Sequence, residues 1–222
     1  MMRYQRYGPI QLLDIRAEKP ERWEPGNATH MRVVLPAVSD YAVTMQRRGF
    51  VLADRTLGVS VNLLRSKLDF ERLIRLEVAE EPVHPETLLA IASVSFPDDR
   101  RFHITPDPDR QIAELILADW VRQLETVLVC RYKGQPIGFL ALRENAPDSR
   151  FVHLAAVLEQ YRTTGAALSL YAKAAALCKT QGVKRLEGRI STKNAAVMNL
   201  YAFLGAVFGE PEDVYLKEVM DQ

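Results

Sequence analysis

The stretch Gln160-Tyr161-Arg162-Thr163-Thr164-Gly165-Ala166-Ala167 joins an apolar strand pattern, Arg150 to Leu158, to an alanine-rich helix pattern, Gly165 to Lys179. A run of polar and small residues that opens a helix is a ready anion site. The first-turn amides have no partner inside the helix, and the helix dipole places partial positive charge there. Small side chains let a phosphate reach that backbone, and Arg162 adds a charge-assisted donor. On spacing alone, a plain helix cap by Thr163 or Thr164 accounts for the turn equally well. Residues downstream add weight to the anion site: Asn194, Tyr201 seven residues later, then Leu204-Gly205 closing that helix.

Working outward, Arg185 to Ile190 reads as a strand and Asn194 to Leu204 as a helix. Ala206 to Phe208 and Val214 to Val219 read as two closing strands around Gly209-Glu210-Pro211-Glu212. Upstream, Thr126 to Arg131 and Ile137 to Leu142 form a hairpin over a Lys133-Gly134-Gln135-Pro136 turn. Asp109 to Leu124 is a strong amphipathic helix containing Trp120, and Glu86 to Ser95 is a shorter one. Phe96 to Asp109 is a loop dense in proline, aspartate and arginine, and Arg72 to Val78 reads as a strand.

In the first part of the chain, Ile10 to Ile15 and Met31 to Leu35 are strand-like. A helix capped by Asp40 runs to about Arg48 and stops at Gly49. Phe50 to Leu64 then supplies one or two strands, turning near Thr56-Leu57-Gly58. Tyr41, Met45, Gly49 and Phe50 echo Val197, Tyr201, Gly205 and Ala206, with no counterpart of the Arg162 to Ala167 turn. Residues 1–70 therefore read as a truncated half-domain before a working domain at 71–222. A chance likeness between two helix–Gly–strand units is the alternative.

The chain has 222 residues, 48% hydrophobic and 26% charged, with a formal net charge of +1, so it can build a core and carries no global pull toward nucleic acid or membrane. Cys130 and Cys178 lie in apolar runs and read as buried free thiols. The four histidines show no metal-ligand spacing. The first residues have no signal-peptide core and no run reaches membrane-span length, so a cytoplasmic protein without a metal is expected.

The element order from Arg72 and the two motifs resemble the GNAT acyltransferase superfamily, which moves acetyl from acetyl-CoA to an amine. That family's cofactor motif is usually Val-x-Pro-x-x-Arg/Gln-Gly-x-Gly-x-Gly/Ala. Val157, Arg162, Gly165 and Ala167 fit it, while Glu159 replaces the proline and Thr163 the first glycine. The second motif is Asn-x-x-Ala-x-x-x-Tyr-x-x-x-Gly-Phe. Asn194, Tyr201 and Gly205 fit, with Val197 and Ala206 as departures. Within the superfamily the chain resembles the dTDP-fucosamine N-acetyltransferases. The features are a short first half with Arg47-Arg48-Gly49-Phe50 and Asp54, the loop with Arg101-Phe102-His103 and Asp107-Pro108 before the Trp120 helix, and Gly205-Ala206 near Asn194.

The resemblance implies an α/β (α+β) fold, a mixed, mostly antiparallel sheet flanked by helices and preceded by the truncated half-domain. It implies cofactor contacts from Ala155, Ala156 and Val157, where the pantetheine arm pairs with the strand. Further contacts come from Arg162, Thr163, Thr164, Gly165, Ala166 and Ala167, which hold the pyrophosphate, and from the Asn194 amide. Asn194 read by itself is an N-cap. Tyr201 is the general-acid candidate, because a phenol stays protonated at pH 7 and can give its proton to a leaving thiolate. Its helical spacing with Val197, Leu200 and Leu204 also suits a core aromatic. His153, Glu187, His103 and Glu144 are weighed as the base and none is chosen. Arg100, Arg101 and His103 form a cationic loop that suits either solvent or the diphosphate of an acceptor.

The expected function is acetyl-CoA-dependent N-acetylation of a nucleotide-linked amino sugar. Another small amine, such as an amino acid, a polyamine or a drug, is an alternative acceptor, and a silent CoA-binding module is an alternative class. The Trp120 helix and the first-half strands offer surfaces for a homodimer.

Overall fold

In the computed structural model, which describes residues 1–96, 99–105 and 110–219, ten strands hydrogen-bond into one mixed sheet. The first half contributes β1 (Met2–Tyr7), β2 (Ile10–Arg16), β3 (His30–Pro36), α1 (Ser39–Arg47) and β4 (Val51–Asn62). Then come β5 (Glu77–Glu80), α2 (Pro85–Ser95), α3 (Arg110–Arg122), β6 (Thr126–Tyr132), β7 (Gln135–Ala146) and β8 (Ser149–Val157). The chain closes with α4 (Ala166–Thr180), β9 (Arg185–Ser191), α5 (Ala195–Phe203) and β10 (Val207–Glu218). The strand order is β1-β2-β3-β10-β4-β9-β8-β7-β6-β5, and only β2–β3 and β8–β9 run parallel. This is the mixed, mostly antiparallel sheet that was expected.

Alternation along the strands sorts side chains between the two faces. Leu13, Ile15, Met31, Val33, Leu35 and Tyr215 pack with Met45 and Phe50 around α1. On the same face, the small residues Ala166, Ala174 and Ala175 let α4 lie close over Leu128, Leu140 and Leu186, with Tyr201 of α5 and the capping Leu204 beside them. The opposite face gathers Leu12, Leu216, Phe139 and Leu154 against Ile91 of α2 and Ile116 of α3. Tyr7 and Ile10 at one end of the sheet share that cluster with Val127 and Val129 near the other end, so this face curls concavely around α2 and α3.

Strands from either side of residue 70 share the sheet, and β4 lies between β9 and β10. Two similar units cross there. Val207 pairs with Ser60 and Val51 pairs with Leu216, so β3–α1–β4 and β9–α5–β10 are related by an offset of about 156 residues around the Thr56–Glu212 pair. Each unit inserts its last strand beside the first strand of the other: β4 on β9, β10 on β3. Both helices end on a left-handed glycine, Gly49 at φ 79° and Gly205 at φ 77°. In both, the residue after the glycine donates its N–H into the helix, Phe50 to Met45 O and Ala206 to Tyr201 O. The echo in the sequence is thus a structural correspondence.

Several local expectations are corrected. Val207–Glu218 is one strand, because irregular pairing at Phe208/Pro211 absorbs the Gly209 to Glu212 stretch without breaking the ladder. Val51–Asn62 is likewise one strand. Arg72 to Val78 is a short 3-10 turn at Glu71–Leu73 followed by β5. Asp40 lies in the first turn of α1 and the capping position is Val38, without a side-chain bond. β1 carries no clear apolar alternation and is absent from the sequence reading. Asp107, Pro108 and Asp109 lie outside the described residues.

Candidate active site

β8 and β9 pair only at Ser149–Arg185, Arg150–Leu186 and Phe151–Glu187. Beyond that point β8 stays on β7 and β9 stays on β4, so the sheet opens as a fork. The physical cause is a bulge. Leu142 faces Val152 and Ala141 faces Leu154, which leaves His153 as the extra residue and bends β8 away. Ala155, Ala156 and Val157 lie on the open limb, unpaired on the β9 side among the described residues. The small alanine side chains leave that backbone approachable.

At the end of this limb the chain turns through Glu159–Tyr161 and enters α4 at Gly165, which is left-handed at φ 83°. The Thr164 hydroxyl donates to Tyr161 O at 2.7 Å and its amide to the same oxygen at 3.2 Å. Among the described residues the amides of Thr163 and Gly165 make no hydrogen bond. The amides of Ala166 and Ala167 begin the helix, where no intrahelical acceptor exists. Neither threonine caps the helix by its side chain. Among the described residues the exposed Arg162 reaches only Val157 O, at 3.5 Å. The turn is thus an open set of donors beside one solvated guanidinium.

Tyr201 comes to the fork from the other limb. An ideal Cβ on Gly188 would lie 2.4 Å from the Tyr201 hydroxyl, so the phenol occupies the space that this glycine leaves. Gly188 is the first residue of β9 past the last β8 pair, which puts the hydroxyl at the apex of the fork. Tyr201 is 1% exposed and packs edge-on against Tyr171 of α4, with ring centroids 5.2 Å apart. Burial, reinforced by Tyr171, holds the Tyr201 phenol well above its ordinary pKa, and burial pushes Tyr171 up to about 12. Both stay protonated at neutral pH. Asn194 caps α5, accepting from Val197 N at 3.1 Å.

Two of the four candidates for the base, His153 and Glu187, are otherwise engaged. His153 stacks on Trp120 with centroids 4.7 Å apart, and burial, then Arg143 and Arg101, lowers its pKa to about 4. A ring that resists protonation so strongly is a poor base at pH 7. Glu187 accepts from Asn145 at 2.6 Å and Arg185 at 3.2 Å. His103 is buried. The arginines of the cationic loop are tied to their own loop. Arg101 is held in a fork by Asp99 and lies over the rings of Phe96 and Phe102, while Arg100 donates to Thr105 O at 2.6 Å. The aspartate two residues upstream takes the charge that an acceptor diphosphate would have used.

Gly188 and Tyr171 are absent from the sequence reading. A lone glycine inside an otherwise regular strand is the signal that marks such a close approach. Also absent is a charged row on the concave face, where Glu212 of β10 takes both Arg16 of β2 and Arg189 of β9. Arg189 also donates to Thr56 Oγ1 at 3.2 Å.

A fork at a bulge, an amide-rich turn behind it and a phenol at its apex are the features that the resemblance to the GNAT acyltransferases implies. The sequence matches the acetyltransferase (GNAT) family model over residues 87–206, more than half of the chain. The chain belongs to the GNAT acetyltransferase family. Solved structures of similar fold include a conserved protein of unknown function from Staphylococcus epidermidis ATCC 12228, 15% identical over 87% of this chain and 74% of that one, TM-score 0.64. A GCN5-related N-acetyltransferase from Sphaerobacter thermophilus is 14% identical over 86% of this chain and 60% of that one, TM-score 0.58. An acetyltransferase assigned to the GNAT family from Novosphingobium aromaticivorans DSM 12444 is 16% identical over 86% and 75%, TM-score 0.58. At these identities the likeness is one of fold. Among curated proteins none matches the sequence. Among the described residues no helix is long and apolar enough to cross a membrane, and no cluster of three or more His, Cys, Asp or Glu is placed to hold a metal.

Proposed function

We propose that this chain transfers acetyl from acetyl-CoA to the amine of a nucleotide-linked amino sugar, by direct attack of the amine on the thioester. The observation that carries the acetyl-transfer reading is the Tyr201 hydroxyl at the apex of the fork, in space reserved by Gly188. The donors of Thr163, Gly165, Ala166 and Ala167, with Arg162 beside them, suit the pyrophosphate. The open backbone of Ala155 to Val157 suits the pantetheine arm and the thioester carbonyl. Thr164 and Asn194 shape the turn and the helix start, and the Asn194 side-chain amide is free to add a contact to the arm. As the neutral amine attacks, a nitrogen–carbon bond forms and the carbon–sulfur bond breaks; Tyr201 gives its proton to the leaving thiolate, and the proton shed by the nitrogen passes through water and restores the phenol.

The sugar nucleotide rests on the resemblance to dTDP-fucosamine acetyltransferases, and the polar concave face in front of the fork is compatible with it. Calorimetric titration of acetyl-CoA without acceptor tests the cofactor half. Micromolar binding is expected, and no binding at millimolar cofactor would overturn the reading. Thiol release across a set of amino-sugar nucleotides, amino acids and polyamines then tests the acceptor.

A second reading is a CoA-binding module without turnover. It is favoured by Thr163 and Glu159, which replace the glycine and proline that usually let the pyrophosphate approach. Acetyl-CoA binding without thiol release to any amine would select it.

A further inference from the structure

We infer that Arg16, Glu212 and Arg189 form an anion subsite for the acceptor, taking a phosphate or carboxylate carried by the molecule that bears the reacting amine. The inference rests on the acetyl-transfer reading above and adds the acceptor chemistry to it.

Two guanidiniums share the single carboxylate Oε2 of Glu212, so the group carries one excess positive charge. Other carboxylates nearby do not cancel it. Asp14, which acts on Arg16, is held in two bonds by Arg32, at 2.9 and 2.8 Å. Glu18, the other carboxylate that acts on Arg16, is exposed, so solvent screens its charge. Arg16 Nε and Nη1 and Arg189 Nε and Nη2 make no hydrogen bond among the described residues, so each fork keeps donors in reserve. The side chains of Arg16 and Arg189 are 41% and 33% exposed, which leaves those donors accessible.

The position of the group suits an acceptor. Arg189 is the residue after Gly188, and strand alternation points it to the concave face while Tyr201 lies on the other side of Gly188. An acceptor that approaches the fork from the concave face therefore meets Arg189 beside the reaction point. Gly58 of β4, paired with Arg189, leaves bare backbone beside the β9 limb of the fork: a Cβ there would stand 4.0 Å from Arg189 Nη2. The subsite joins both halves of the chain, since Arg16 and Thr56 precede residue 70 and Arg189 and Glu212 come after it.

The test compares three amines on one skeleton, D-glucosamine, D-glucosamine 1-phosphate and 2-amino-2-deoxygluconate, by thiol release from acetyl-CoA. Hydroxylamine, a small neutral nucleophile, gives an acceptor-independent measure of enzymatic thioester cleavage once its uncatalysed reaction with acetyl-CoA is subtracted, and hydroxylamine cleavage below means the rate above that background. We expect wild type to favour at least one anionic amine over glucosamine by about tenfold in kcat/KM, the size of one lost charge-assisted contact. Which anion is favoured distinguishes phosphate from carboxylate. Arg16→Gln should cut the preference to within about twofold while melting like wild type, and Gly58→Val, which keeps every charge and covers that bare backbone, should do the same. Cleavage with hydroxylamine but no preference for either anionic amine, including no turnover of them, would overturn the subsite and leave acetyl transfer standing. A preference that survives in Arg16→Gln would also overturn it. Failure of acetyl-CoA binding and of hydroxylamine cleavage together would overturn the acetyl-transfer reading itself.

Discussion

The run β1-β2-β3-α1-β4 has the same order and pairing directions as β7-β8-β9-α5-β10, yet only the second opens. β2 and β3 stay paired from Leu12–His30 to Arg16–Val34, five pairs in register, whereas β8 and β9 part after three. His153 bulges in β8, and β2 pairs with β1 without a register shift. The first half joins β2 to β3 through a connection without a helix, where the second places the Thr163 turn and α4. Position by position, Met45 stands for Tyr201, Val38 for Asn194 and Val33 for Gly188, the last because Val33 pairs with Tyr215 as Gly188 pairs with Val59. Met45 and Val33 are completely buried. The same frame is therefore a packed core in one copy and a cleft in the other, and a bulge, a missing Cβ and an inserted turn account for the difference.

If the halves were separable, residues 71–222 would fold alone. They should not. Removing residues 1–70 strips β4 from between β9 and β10 and exposes both ladders. The fragment is expected to show no cooperative melt and poorly dispersed amide resonances; a folded fragment would break the crossed-unit description.

Next in size is the phenol and its seat. Tyr201→Phe should lower kcat by about a hundredfold with acetyl-CoA affinity nearly unchanged. Gly188→Ala should cost about 1–3 kcal/mol by overpacking and reduce kcat as well, because the new methyl must displace the Tyr201 hydroxyl. Thermal melts and kinetics on both variants check this. Loss of stability in Gly188→Ala without loss of rate would detach the glycine from the chemistry.

The bulge residue predicts a pH effect. The folded pKa of His153, about 4, lies below its ordinary 6.5. Between those values the unfolded chain takes up a proton that the folded one refuses, so stability is full above 6.5 and falls as pH drops toward 4. The loss is at most about 3 kcal/mol. His153→Gln should flatten melting temperature against pH over that window, a change absent from Val33 and Met45 variants in the closed copy.

The smallest effect concerns the inserted turn. Thr163→Gly should tighten acetyl-CoA binding by about two- to fivefold in calorimetry, by letting the pyrophosphate approach the free amide.

Much of this frame is legible in the sequence because its signals are local. The helix of Ala166–Thr180, the hairpin over Lys133-Gly134 and the Gly49 and Gly205 helix ends depend on periodicity or on a backbone that glycine suits. The fork rests on pairing. Nothing local to Val51–Asn62 says that its neighbours will be strands 123 and more residues away, and nothing in Arg16 or Glu212 announces that they meet across 196 residues. The charge of Arg101 is visible in the sequence, but its capture by Asp99 against two aromatic rings is tertiary. Asn194 shows how the two levels overlap. Its capping bond is local and predictable, while any contact of its remaining amide depends on what enters the cleft.

The position of β4 also constrains how the protein is made. A ribosome releases this strand with both hydrogen-bonding edges bare, and its partners β9 and β10 follow 123 and more residues later. Throughout that interval the nascent chain carries an unfinished sheet that can capture strands from other chains. Production in cells should therefore depend on chaperone supply and elongation rate more than the stability of the finished fold would suggest.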